Sequence, residues 1–80
     1  MLNQTERTVK MLNDIALNAG TSPDPEQARA AVLSHLQRFW ARPLKRTIIA
    51  CLATHAEAMH PVGYAAVQQL AQEWSEADVK

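Results

Sequence analysis

Asp24-Pro25-Glu26-Gln27-Ala28-Arg29-Ala30-Ala31-Val32-Leu33-Ser34-His35-Leu36-Gln37-Arg38-Phe39-Trp40-Ala41-Arg42-Pro43 is the stretch that settles the fold class. Asp24 can accept a hydrogen bond from the first free backbone N–H groups of a helix, and Pro25 suits the first helical position, where its missing N–H costs nothing. Gln27 completes a capping-box pattern with Asp24. Behind this start, Ala28, Val32, His35, Leu36 and Phe39 share a helical face, which Leu33 and Trp40 widen. The helix stops near Ala41, because Pro43 disfavours helical backbone at Arg42.

The same physics extends in both directions. Upstream, Thr5 is placed as an N-cap, with Glu6 in the first turn, where a carboxylate meets the positive end of the helix dipole. Val9, Leu12, Ile15, Ala16 and Ala19 form one stripe, and Gly20 suits a left-handed C-terminal cap. Downstream, Pro43 can open a third helix that presents Leu44, Ile48, Cys51, Leu52, His55 and Met59 on one face, with Ile49 beside it. The tight break before it predicts a hairpin or corner between the second and third helices. Pro61 opens a fourth, whose stripe is Tyr64, Val67, Leu70, Ala71 and Trp74, opposite Gln68, Gln69, Gln72 and Glu73. No segment alternates in the strand period. The expectation is an all-α fold: a small bundle of four short helices in a single domain of residues 1–80, with helices over 6–19, 25–41, 43–58 and 61–74 and a frayed tail over 75–80.

Eighty residues with one cysteine leave no room for a disulfide staple. So short a chain buries only about 60–65% of its unfolded surface, so a metal or a partner subunit becomes the expected support. A lone thiol suits a reducing compartment, which points to the cytoplasm. No apolar run is long enough to span a membrane, and Met1-Leu2-Asn3-Gln4-Thr5-Glu6-Arg7 has no apolar core behind a basic head, so it does not read as a signal peptide. Eight basic and eight acidic side chains cancel, which argues against a dedicated nucleic-acid binder while leaving room for a local patch.

Reactive groups are sparse. Cys51 and His55 sit four apart on one helix face, a spacing that can offer two ligands to one metal. Structural zinc needs four ligands and catalytic zinc three, so His35 or His60 would have to join them, and simple burial of both residues is the favoured reading. His60 reads as a helix-entry residue before Pro61. No serine has a matched histidine and acid in a recognisable motif, and no glycine-rich loop can cradle phosphate. The chain therefore reads as having no catalytic residues and no cofactor or metal ligands of its own.

The basic segment is more telling. From Gln27 to Ala56 there is no acidic side chain, yet Arg29, Arg38, Arg42, Lys45 and Arg46 fall there. Three of these cations crowd the start of the third helix, against its dipole, at a few tenths of a kcal/mol each. A local rule broken without visible compensation marks a functional surface, and guanidinium groups suit carboxylates or phosphates on a partner. An ordinary solvated face is the competing reading. Phe39 and Trp40 point about 100° apart on a helix, so only one can sit at the centre of the core. Phe39 is the expected core residue, and Trp40 is the candidate anchor for a partner. Arg38, Trp40, Arg42, Lys45 and Arg46 are therefore the expected partner-binding residues.

Three blocks carry a family resemblance. Thr8-Val9-Lys10-Met11-Leu12-Asn13-Asp14-Ile15-Ala16 resembles the opening of the small delta subunit of NAD-dependent, molybdenum-containing formate dehydrogenases. His35-Leu36-Gln37-Arg38-Phe39-Trp40, with Pro43-Leu44-Lys45-Arg46 and Ile48-Ile49-Ala50, is similar to that family's central run. Met59-His60-Pro61-Val62, with Ala66-Val67 and Leu70, resembles its last helix. The likeness runs from about residue 8 to residue 70, and the middle block is the most specific. One departure is visible: the family places aspartate and proline directly after the tryptophan, whereas Ala41-Arg42 intervene here before Pro43, so a natural N-cap is missing.

The resemblance implies an accessory subunit of a cytoplasmic complex that oxidises formate and passes electrons to NAD. It implies that molybdopterin, iron–sulfur clusters, FMN and NAD belong to the larger subunits, which are this chain's expected partners. It also implies that the chain supports assembly, stability or molybdenum-cofactor insertion. A homo-oligomer of the isolated chain stays open. Two further readings compete: a small helical nucleic-acid-binding module using the basic third helix, and a chaperone that itself holds the anionic molybdenum cofactor at that helix start.

Overall fold

A computed structural model describes residues 3–19 and 21–78, with side chains as far as Trp74. The cap expected at Gly20 and the last residues of the expected tail, Val79 and Lys80, lie outside the described residues. Four helices follow one another with no strand among the described residues: α1 (Gln4–Ala19), α2 (Pro25–Phe39), α3 (Arg42–Thr54) and α4 (Pro61–Asp78), with a 3₁₀ turn at Ala56–Ala58 between α3 and α4. The fold is all-α.

Local hydrogen bonds explain where each helix begins. Asn3 caps α1 in place of Thr5: its Oδ1 accepts from the Glu6 N–H at 2.8 Å, so the helix starts at Gln4. Asp24 caps α2 as its sequence predicts, with Oδ1 accepting from the Glu26 N–H at 3.0 Å and Pro25 following it. The reciprocal half of the capping box is made differently. Ser22 Oγ accepts from the Asp24 N–H at 3.2 Å and donates to Gln27 Oε1 at 3.0 Å, so Ser22 relays what Gln27 was expected to do directly.

The helix ends depart further from expectation. α2 stops at Phe39, because Trp40 turns extended (φ −91, ψ 133) while its N–H still closes on the Leu36 carbonyl. α3 starts one residue before Pro43: Arg42 is its first residue, and the Ala41 carbonyl accepts from the Lys45 N–H at 3.0 Å. The bias against helical backbone before a proline is outweighed there, since a proline in the first turn removes no bond the helix would make. No side chain caps that start. The helix expected to run on to residue 58 breaks at His55 (φ −127, ψ 22). Asn13 of α1 holds the break. Its Nδ2 donates to the Ala58 carbonyl and its Oδ1 accepts from the His60 N–H, both at 2.8 Å. His60 in turn caps α4, its Nδ1 accepting from the Val62 N–H at 3.2 Å. α4 then continues four residues past Trp74, to Asp78.

The core draws on all four helices: Leu12 from α1, Val32 and Leu36 from α2, Ile48 from α3, and Val67 and Leu70 from α4 are fully buried. α2 packs most extensively on α4, while α1 lies against α3 and α2. α2 and α3 scarcely touch, so the break between them is a corner rather than a hairpin. Close approach of α4 to α1 depends on Gly63, where an added Cβ would stand 3.0 Å from Leu12 Cγ.

Phe39 corrects the sequence reading. It is 71% exposed, whereas Trp40 packs against the core. The buried line of α2 is the i, i+4 row Ala28, Val32, Leu36, and its next member is Trp40. Phe39 belongs to the flanking row with His35, whose ring lies 4.9 Å from its own at an interplanar angle of 51°. His35 lies beside α1, whereas Phe39, in the last turn of α2 before the chain turns at Trp40, stays exposed.

Candidate docking surface at the α2–α3 corner

The basic residues gather at the corner for a geometric reason. The end of α2 and the first turn of α3 are separated only by Trp40 and Ala41, so Arg38, Arg42, Lys45 and Arg46 are carried on adjoining turns. The structure gives them different surroundings. Lys45 reaches back to α2, its Nζ donating to the Gln37 carbonyl at 3.1 Å. A cation that opposes the dipole of α3 thus satisfies a free carbonyl at the negative end of α2, so its local cost is offset. Arg42 stands with its guanidinium carbon 5.4 Å from the centroid of the Trp74 ring on α4, a cation–π contact worth about 0.5–1 kcal/mol at an exposed site. Compensation that was invisible along the chain is present across it.

Arg38 and Arg46 differ from these two. Both are exposed, and neither has an ion-pair partner among the described side chains, which run to Trp74. The one ion pair among those side chains joins Lys10 and Asp14 on α1, one helical turn apart and solvated, and it contributes little. Trp40 is half-buried, so its indole serves the core and the surface together. The five expected partner-binding residues therefore do not form one flat patch. Arg42 and Arg46 line a common groove, Lys45 is folded against the end of α2, Trp40 is rooted in the core, and Arg38 stands on α2.

That groove is open, has a volume of about 650 Å³ and runs along α3. Its cationic end is Arg42 and Arg46, and Thr47, Ala50 and Thr54 continue it towards His55. Cys51 underlies it at 2% exposure, and burial pushes its thiol pKa up, away from the reactive thiolate. His55 Nδ1 is hydrogen-bonded to Thr54 Oγ1 at 2.7 Å. Among the described residues no group of three histidines, cysteines or acids is placed to hold a metal ion. His35 is occupied with Phe39 and His60 with the start of α4, so neither is brought to Cys51 and His55.

Residues 7–67 match the family model described as NADH-dependent formate dehydrogenase delta subunit FdsD. The chain belongs to that family. No curated protein and no solved structure matches it. The matched delta-subunit region runs from α1 into α4 and includes the whole corner and every residue lining the groove except Thr5. No helix among the described residues is long and apolar enough to cross a membrane.

Two features of the delta-subunit chain escaped sequence reasoning. Asn13, which ties α1 to the turn before α4, is a single polar residue inside an amphipathic helix, and nothing near it in sequence marks it. The pairing of Arg42 with Trp74 joins residues 32 positions apart, and only packing brings them together.

Proposed function

We propose that this chain is a noncatalytic accessory subunit of a NADH-dependent formate dehydrogenase, acting by docking on the larger subunits to support their assembly, stability or molybdenum-cofactor insertion. In this reading molybdopterin, iron–sulfur clusters, FMN and NAD are held by those larger subunits, and the complex works in the cytoplasm. The observation that carries the proposal is the family match over residues 7–67. The exposed cations at the corner support a docking role, since guanidinium groups beside a half-buried tryptophan are side chains that anchor protein interfaces. Arg38, Trp40, Arg42, Lys45 and Arg46 are the residues proposed to meet the partner.

Co-expression with the larger formate dehydrogenase subunits of the same source tests this. A tagged form of the chain is expected to co-purify with them, and its omission to lower the yield of assembled, cofactor-loaded enzyme. Purification of the larger subunits in full activity and yield without this chain, together with no association when it is added back, would remove the proposal.

A further inference from the structure

We infer that the α3 groove seats a helix of the partner subunit that carries two carboxylates one turn apart, paired with Arg42 and Arg46. The inference rests on the docking role proposed above and deepens it by stating what the docked segment is.

Three observations carry it. First, the charge is one-sided: Arg42 and Arg46 stand one helical turn apart at the end of the groove, and neither has a carboxylate within ion-pair distance among the described side chains, which run to Trp74. Residues three and four apart on a helix are about 5–6 Å apart at Cβ, so two acids at the same spacing on a facing helix match them. Second, the rest of the groove is walled by small side chains, Thr47, Ala50 and Thr54, all at the surface of α3. Bulky residues would hold a second helix off; these let helix axes approach to about 8–10 Å. Third, Arg42 is already positioned. Its guanidinium carbon lies 5.4 Å from the centroid of the Trp74 ring, so less side-chain freedom is lost when it pairs with a carboxylate. A small anion would use the arginines alone and leave the small-residue floor without a role; a helix uses both.

The test uses the full chain co-expressed with the larger subunits. Arg42→Glu with Arg46→Glu, and separately Ala50→Trp, should each weaken association at least about 30-fold, as expected for loss of buried charge pairs or of close approach. Arg7→Glu, on the exposed face of α1 and outside both the groove and the corner, should change it less than about 3-fold. Position 42 is the first residue of α3, where an acid favours the helix, and position 46 is exposed at the start of its second turn; circular dichroism and urea unfolding check that a lost complex is not a lost fold. An Arg46→Lys variant keeps the charge and supplies an amine. Carbodiimide then joins that amine to an activated partner carboxylate as an amide, and peptide mapping should place the acid in a helix with a second acid four residues away. If wild-type chain associates but the groove variants bind equally well, or the cross-link is absent or falls on a segment without the paired acid, this inference is overturned and the docking role stands. If Arg7→Glu weakens binding as much as the groove variants do, the seat is not the groove. Failure of the wild-type chain to associate at all removes the docking role itself.

Discussion

Replacing Gly63 by alanine sets two effects against each other, and the geometry predicts which wins. Gly63 lies in the first turn of α4, and alanine would gain up to about 1 kcal/mol of helix propensity there. The added Cβ, however, would stand 3.0 Å from Leu12 Cγ, 3.3 Å from Cδ2 and 3.4 Å from Cδ1. Favourable carbon–carbon contact lies at about 3.5–4.0 Å, so the first two atoms are too close and the third is at the limit of ordinary contact. Leu12 cannot slide aside, because it is fully buried and the crowded atoms include its branch carbon rather than one free end. Overpacking of this kind costs about 1–3 kcal/mol. The expected net effect of Gly63→Ala is a loss of about 1 kcal/mol, which lowers the urea midpoint by about 0.5–1 M at unchanged slope. The decisive measurement is the same substitution in a Leu12→Ala background, which removes all three atoms. Leu12→Ala alone should cost about 2–5 kcal/mol, so both members of that pair are measured in trimethylamine N-oxide to keep the folded state populated. There Gly63→Ala should stabilise, since propensity remains and the clash does not. A stabilising Gly63→Ala in the parent chain, or the same sign and size in both backgrounds, would refute the close approach of α1 and α4.

Four further outcomes follow from the geometry. Asn13→Ala removes both hydrogen bonds that hold the turn before α4 and should cost about 1–2 kcal/mol in urea unfolding, while Asn18→Ala, whose side chain bonds only within α1 to the Asp14 carbonyl, should cost less than half as much. Trp40→Ala should destabilise by about 2 kcal/mol or more, and Phe39→Ala by about 1 kcal/mol or less, since Trp40 is packed on the core and Phe39 is exposed; the reverse order would restore the register read from sequence. Cys51 should react with a disulfide reagent at pH 8 at least about 100-fold more slowly in the folded protein than in urea. Its thiol pKa is raised in the fold by desolvation, so its contribution to stability is complete below the ordinary thiol range and declines as pH rises through that range towards the folded value; Cys51→Ala should flatten the stability profile above about pH 8.

Helix class, and the order of the four helices, were legible along the chain because their causes are local. A capping aspartate followed by proline, apolar residues at helical spacing, and the prolines at positions 43 and 61 act within a turn or two of themselves. The likeness in the central block was legible for a different reason: it lies in residue identities and their spacing, and it foreshadowed the match over residues 7–67.

Packing decided everything that joins distant turns. Sequence periodicity placed both Phe39 and Trp40 near one face but could not say which row the neighbouring helices would cover, and the i, i+4 row won when the chain turned at Trp40. The turn before α4 is tied down by Asn13, 45 residues away from the carbonyl it binds. The basic corner looked uncompensated because its compensations are tertiary: a carbonyl on α2 for Lys45 and an indole on α4 for Arg42. Charge and periodicity are properties of the chain itself. Which cation finds an internal partner, and which is left facing outward, depends on the directions in which whole helices cross, and only the folded structure contains those.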